Sequence, residues 1–343
     1  MYIDVNADEA WERLRASRWK PPGRADGTAS RRKTYAAALE QTEQMFRAAA
    51  VVGPATRPLQ VFYGLSQAGR AIAAAAVTLK GEEWRLVTHG IKASGFDKPF
   101  PDIEIRTDPP GTHGSFVRVS EVLGSPVWEK DAVRLEDVWD LLPLNLGYPL
   151  TGRERPTPLF AAASAIHEQD HPLLSIPVCD IPDRVIDDGS RQALADFLTA
   201  YPAVARHESY VTTRAFNLGA AATPEYTRYD HGGGELVVNW EMPQGSATAA
   251  GRLEYLLTMT RPYAGQRYFL PVLAPMPREL HPLMAWWAVL YTLSMLARYE
   301  PASWVTNISV DNSQHAVSIE RLLERALSHL PVLIADTITE VST

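Results

Sequence analysis

The chain has 343 residues, 46% of them apolar and 21% charged, with a net charge of −7; this is ordinary for a globular protein with a substantial core. Its one cysteine, Cys179, excludes an intramolecular disulfide and any cysteine-cluster metal site, and it favours a reducing compartment. The first residues, MYIDVNADEAWERL, show no basic stretch followed by an apolar run, so no secretory signal is expected and the expected location is cytoplasmic.

In chain order, Asp8–Trp19 reads as a short amphipathic helix broken by Pro21, Pro22 and Gly23. A long helix follows from about Ser30 to Val52, anchored by Tyr35, Leu39, Met45 and Phe46 and ended by Gly53-Pro54. After Pro58 comes a third helix whose Ala-rich second half has strong helical propensity. Residues 13–33 carry a local charge of +7, which leaves −14 on the rest of the chain. Such a basic arm could meet RNA or an acidic protein partner, or it could lie on the protein's own acidic surface.

From Glu82 to Gly124, prolines and glycines separate short alternating runs, Ile103–Arg106 and Ser115–Val119, that read as strands. Leu135–Leu142 reads as a short helix ended by Pro143, and a helical piece is expected near Pro158–Gln169. Ser190 can cap a helix through Ala200. Strand-like runs follow at Glu208–Phe216, Glu235–Glu241, Arg252–Thr260 and Gln266–Leu270. His281–Trp304 then supplies the most apolar helix. Its greasy run falls short of the roughly 20 residues of a membrane span and is closed by Arg298, so it reads as the central helix of a core. A helix from about Ser313 to His329 and an apolar piece after Pro331 complete the chain. The expected fold is α+β and a single unit over 1–343: a basic arm (1–34), a helical core from both chain ends (35–81 and 279–340) and a strand-rich middle (82–275).

Several local patterns invite chemistry. His167-Glu168-Gln169-Asp170-His171 is an H-E-x-x-H, which on a helix can hold zinc with the glutamate as general base, and Glu208 or Asp187 could supply a third ligand. Pro172 pushes His171 out of the helical region, so no bound metal is expected. Gly64-Leu65-Ser66-Gln67-Ala68 resembles a nucleophile elbow and His231-Gly232-Gly233-Gly234 an oxyanion-hole loop. Their order is the reverse of that in α/β-hydrolases, and the glycines suit a hairpin turn. Arg106 and His113 have R-x6-H spacing, but TDPPGT lies between them and forbids a helix there. No phosphate-binding glycine loop and no cofactor fingerprint are present.

The apolar helix also carries Tyr291, Ser294 and Arg298 on one face. The same spacing, Y-x-L-S-x-x-x-R, occurs at Tyr63, Ser66 and Arg70, as a duplicated helical hairpin would produce. A guanidinium inside a core needs a carboxylate such as Glu43 or Glu300, a carbonyl or a phosphate.

At Phe62-Tyr63-Gly64 with Gln67, Thr88-His89-Gly90 and above all LYTLSMLARYEPASW (Leu290–Trp304), the chain resembles the YaaC-like family of bacterial proteins. The resemblance runs from about residue 30 to the C-terminus, apart from residues 150–205. It implies no activity, and it involves neither a serine at position 66 nor the H-E-x-x-H. The segment from Phe62 to Gly90 is also similar, at the level of fold, to the helices of HEPN-type domains.

Together these features point to a protein that binds a phosphate-bearing ligand, nucleotide or RNA, without catalysis. The candidate ligand-binding residues are Tyr63, Ser66, Gln67, Arg70, His89, Tyr291, Ser294 and Arg298. The competing readings are a zinc hydrolase using His167, Glu168 and His171, a HEPN-like ribonuclease, and an interaction subunit docking through residues 13–33.

Overall fold

The computed structural model describes residues 6–163, 166, 172–211, 223–243, 245 and 247–343. The fold is α+β. In chain order it runs through α1 (Ala7–Trp19), α2 (Ala29–Val51), α3 (Arg57–Ala75), β1 (Ile91–Ser94), β2 (Glu104–Thr107), α4 (Ser115–Val122), β3 (Val133–Arg134) and α5 (Leu135–Trp139). It continues with β4 (Leu159–Ala161), β5 (Leu173–Ile181), α6 (Asp183–Asp188), α7 (Arg191–Leu198), α8 (Pro202–Ala205), β6 (Ser209–Val211), β7 (Thr227–Arg228), β8 (Gly234–Glu241), α9 (Ala249–Met259), β9 (Arg261–Tyr263) and β10 (Gln266–Phe269). The last elements are α10 (Pro282–Tyr299), α11 (Pro301–Asn307) and α12 (Ala316–Ser342).

Where the sequence suggested one unit, the structure divides into two. The first comprises Met1–Arg155 and Ala274–Thr343, and the second, Pro156–Leu273, is inserted between them. The boundary therefore leaves residues 82–155 with the helices rather than with a strand-rich middle. Prolines flank both crossings, Pro156 and Pro158 at one and Pro271 and Pro275 at the other; this short punctuation does not stand out in a chain with 26 prolines.

In the first unit, α10 is the central helix, with every residue from Pro282 to Ala297 buried. It crosses α3 antiparallel: Phe62 meets Tyr291, and Gly69 meets Trp287. A β-carbon at residue 69 would stand 2.3 Å from the Trp287 ring. Helix α2 lies along α3, and Gly64 sits against the Phe46 ring in the same way, at 2.8 Å. Strands β1, β2 and β3 form an antiparallel sheet in that order, with Ile91 and Ile105 turned inward. Helix α12 continues through Pro331, although proline removes a helical hydrogen bond. Leu322, Leu323, Ala326 and Leu330 before it, and Ile334 and Ile338 after it, keep one buried face across the break.

The second unit is built on an antiparallel sheet, ordered β6-β8-β5-β4-β10-β9 among the described residues, with β7 beside β8. Ile176, Val178, Leu236, Val238, Trp240 and Phe269 from the sheet join Leu194, Leu198 and Tyr201 in its core.

Three elements differ from their sequence reading. Ser115–Val119 lies in helix α4, because Phe116, Val119, Ser120 and Leu123 are buried at helical spacing. Arg252–Thr260 falls in and just after helix α9, capped by Thr248 and buried at Arg252, Leu256 and Thr260. Val117 and Val119 in the first run, and Thr258 and Thr260 with Tyr255 in the second, favour strands, and that preference yields here to helical burial. The expected helix near Pro158 begins instead as strand β4. The H-E-x-x-H at 167–171 and the end of the run at 212–216 lie outside the described residues.

The basic segment is not a free arm. Arg13 pairs with Asp336 at 3.4 Å and Arg15 with Glu43 at 2.7 Å, while Arg18 pairs with Glu40 and Arg32 with Asp26. Arg24 donates to the Val77 carbonyl at 2.7 Å. Arg31 is buried and donates to the Leu79 carbonyl at 2.7 Å, just beyond the end of α3. The positive charge is thus spent largely on the protein's own carboxylates and helix-end carbonyls.

Two stability tests follow from these contacts. Gly69→Ala should destabilise the first unit by about 1–3 kcal/mol through overpacking against Trp287, whereas Gly53→Ala, whose β-carbon meets nothing within 4 Å, should leave the melting midpoint unchanged. Trp286→Ala, at a fully buried site, should cost about 3–5 kcal/mol. His329 tests the acid side. Burial, with Arg325 and Arg321 close by, lowers its imidazole to about 4. The unfolded chain, with histidine near 6.5, then binds the extra proton first, so stability is lost as pH falls from about 6.5 towards 4. Denaturant melts at pH 7 and pH 4.5 should show His329→Gln losing about 2–3 kcal/mol less than wild type on acidification.

Candidate functional site

The antiparallel crossing of α3 and α10 places Tyr63 and Arg70 beside Tyr291 and Arg298 at one edge of the first unit. Arg298, in the last turn of α10, is exposed, which corrects the expectation that it lies in the core. Its Nη1 donates to the Tyr63 hydroxyl at 3.0 Å, and its guanidinium stands 5.2 Å from the Tyr299 ring centroid. Arg70 donates through Nη1 to the Leu86 carbonyl at 2.9 Å. Among the described residues neither arginine has a carboxylate at ion-pair distance; Glu43, expected as a partner, instead takes Arg15 at 2.7 Å and Arg47 at 2.5 Å. The two repeats are not mirror images, since Arg298 crosses to Tyr63 while Arg70 turns to the backbone.

His89 completes the cluster from the loop after α3. Its ring lies 5.5 Å from Phe62, 5.9 Å from Tyr291 and 6.4 Å from Tyr63, centroid to centroid. The backbone around it is fixed from both sides. Ser115 N and Oγ both donate to the Thr88 carbonyl, at 2.8 and 2.9 Å, and Phe116 N donates to the His89 carbonyl at 2.9 Å. Gly90 has φ +71°, and its Cα faces Gly114 so closely that a β-carbon on Gly114 would lie 2.4 Å from it. Thr88-His89-Gly90 is therefore a positioned loop whose glycine is required both by its left-handed φ and by the close approach.

Burial lowers the His89 imidazole below its ordinary 6.5, and the charges of Arg298 and Arg70 lower it further. The same surroundings raise the Tyr291 hydroxyl: burial comes first, followed by Tyr299, Asp108 and Tyr63. Asp108, whose charge also bears on Tyr291, is held by Lys92 at 2.7 Å. The edge is thus electropositive, with two guanidiniums bearing on one imidazole and the neighbouring carboxylate already engaged.

Not every predicted residue joins it. Ser294 is fully buried and donates back to the Tyr291 carbonyl at 2.7 Å, and Ser66 is buried within α3. Each serine sits about 60° round its helix from the Tyr–Arg line, on the inward side. Gln67 is half-buried on α3 between Tyr63 and Arg70. Sequence reasoning missed Phe62 as a ring partner, Tyr299, and the Lys92–Asp108 pair. Tyr299 directly follows Arg298 and is 59% exposed, but its place beside the guanidinium is spatial and no sequence motif signals it.

The rival motifs fare differently. Gly64–Ala68 is helix interior and not a strand-to-helix elbow, and Gly232 and Gly233 form the expected hairpin turn before β8, with φ +95° and +72°. Arg106 lies on β2 and His113 in the loop before α4. The H-E-x-x-H lies outside the described residues, and among those described no three His, Cys, Asp or Glu side chains gather to hold a metal. No described helix is long and apolar enough to cross a membrane.

A family model described as YaaC-like Protein matches residues 7–338. The chain belongs to the YaaC-like family. The match spans the Phe62-Tyr63-Gly64, Thr88-His89-Gly90 and Leu290–Trp304 motifs, and with them the whole cluster of this YaaC-like chain. It does not extend to the HEPN likeness. No curated protein and no solved structure matches the chain.

Because Arg298 is exposed and strands no carboxylate when removed, Arg298→Gln should melt within about 0.5 kcal/mol of wild type. By NMR titration its His89 should move upward, towards 6.5, because one of the two nearby positive charges is gone. A large loss of stability would show that the guanidinium carries structure rather than charge.

Proposed function

We propose that this YaaC-like protein binds a phosphate-bearing ligand, nucleotide or RNA, at the cluster of Tyr63, Arg70, His89, Tyr291 and Arg298, and that it does so as a binding protein. The observation that carries this reading is the unneutralised charge: Arg70 and Arg298 both bear on His89, and among the described residues neither has a carboxylate at ion-pair distance. A phosphate there would relieve that repulsion and accept charge-assisted bonds from guanidinium groups. The Tyr63 hydroxyl, which already accepts from Arg298, retains its own proton to donate to a phosphate oxygen. Gln67 adds a neutral donor on the same helical face. Docking through residues 13–33 has no comparable observation in its favour, since Arg13 and Arg15 there pair with carboxylates of the chain itself; the zinc reading falls on His167, Glu168 and His171, outside the described residues.

Thermal melts test the proposal directly. Ligand that binds only the folded state, present at about 100 times its dissociation constant, stabilises by about 2.7 kcal/mol. Nucleoside triphosphate, RNA or pyrophosphate should accordingly raise the wild-type melting midpoint, and Arg298→Gln and Arg70→Gln should abolish the rise. A bound anion also raises the pKa of His89, so complex formation takes up a proton and affinity should increase as pH falls towards 6. The groups bearing on that imidazole are Arg70 and Tyr63 from α3 and Arg298 and Tyr291 from α10, with Lys92–Asp108 beyond Tyr291. Sulfate, which does not titrate in this range, separates protonation of His89 from that of the ligand. Wild-type protein indifferent to every one of these anions would end the proposal.

A further inference from the structure

The cluster sits on an open edge, which narrows the ligand that suits it. Small molecules are usually held in concave sites that enclose most of their surface. Two cavities of about 420 and 390 Å³ lie in the second unit, one lined by Glu208, Glu241 and Met242 and the other by Arg184, Asp188 and Phe197. Neither includes a residue of the cluster. What the cluster presents instead is an exposed guanidinium at Arg298, a half-buried imidazole at His89 and a protruding ring at Tyr299, 59% exposed. An aromatic platform beside cations at an open surface is how single strands are bound, with bases stacked and phosphates tracked.

The cations also continue beyond the cluster. One residue past Gly90 the chain enters β1, where Lys92 stands directly opposite Arg106 of β2. Their neighbours Ile91, Ile105 and Thr107 are buried, so both side chains project from the outer face of the sheet. Like charges directly opposite one another on a sheet are destabilising. Lys92 is partly neutralised by Asp108, whereas Arg106 has no carboxylate at ion-pair distance among the described residues. Glu104, two residues along the same strand, bears on Arg106 but is held at ion-pair distance by Lys98, at 3.0 Å. A second phosphate of the same strand would relieve this second unfavourable pair.

We infer that the ligand is a single-stranded nucleic acid, with one phosphate held by Arg298, Arg70 and His89, the chain running past Lys92 to Arg106, and a base stacked on Tyr299. The inference rests on the phosphate-binding reading above, and it adds Tyr299 as the base platform and Arg106 as a second phosphate contact. Tyr299 directly follows Arg298, whose guanidinium stands 5.2 Å from the ring centroid, and at 59% exposure the ring offers surface to a base.

The test uses the full-length protein with fluorescein-labelled 12-mers of uridylate and of thymidylate, a 12-bp duplex, AMP and pyrophosphate, followed by anisotropy and by competition. The single strands should bind at least about tenfold more tightly than AMP or the duplex, and the two 12-mers distinguish RNA from DNA as the natural source. With two phosphates neutralised at about 0.7 each, log affinity against log salt should fall with a slope of about −1.4. Tyr299→Ala should weaken the 12-mers about tenfold while Tyr299→Trp restores them, and neither should alter competition by pyrophosphate. Arg106→Gln should lower the salt slope and leave pyrophosphate untouched. AMP binding as tightly as the 12-mers, with Tyr299→Ala and Arg106→Gln silent, would overturn this inference and leave the phosphate site standing. No binding of any strand, nucleotide or pyrophosphate would overturn both.

Discussion

The first unit depends on one close approach, the α3 backbone at Gly69 against the Trp287 ring of α10. A side chain at residue 69 would push the helices apart. Because they cross antiparallel at that distance, Phe62 and Tyr291 come into ring contact, and Arg298 at the far end of α10 reaches the Tyr63 hydroxyl. Gly64 against Phe46 does the same for α2 and α3. The surface cluster is therefore a consequence of how tightly the helices meet in the interior.

A second close approach sets the histidine. Gly90 and Gly114 meet Cα to Cα, and the amides of Ser115 and Phe116 bind the carbonyls of Thr88 and His89. Nothing local would hold an imidazole at this place, half-buried between two tyrosines and under the influence of two arginines. The loop is held at both ends by α4, an element whose helical form arises only from tertiary burial. The charge arrangement follows from this geometry, since the arginines answer to a tyrosine hydroxyl and a carbonyl while the nearby carboxylates are paired elsewhere.

Much of the helical frame was legible in the sequence, because α2, α3 and α10 carry long apolar patterns with clear stops. Ser190 capping α7 and the glycines before β8 were equally readable, since caps and turns are local chemistry. Helices α4 and α9 were not, because Val117, Val119, Val122, Thr258 and Thr260 give short windows a strand-like composition. The proline-flanked crossings into the second unit gave no stronger signal than many other prolines. At the site, the recurring Tyr–Arg spacing and Thr88-His89-Gly90 named residues that the crossing of α3 and α10 brings into one cluster. The same spacing also named Ser66 and Ser294, which the helical turn directs inward, and it placed Arg298 in a core that α10 leaves at its last turn. Tyr299, Lys92 and Arg106 escaped notice because their significance is spatial: a ring beside a guanidinium, and two cations facing each other across a strand pair.

The central claim is that Arg70, Arg298 and His89 together receive a phosphate. The most direct measurement is the titration of the His89 imidazole by NMR in wild-type protein, free and saturated with pyrophosphate. Free His89 titrates below 6.5, under the influence of burial and two arginines. With an anion between those charges its titration should move upward, and resonances of Tyr63 and Tyr291 should shift with it. A His89 curve unchanged by pyrophosphate at concentrations that protect the protein from melting would place the anion elsewhere and contradict the account.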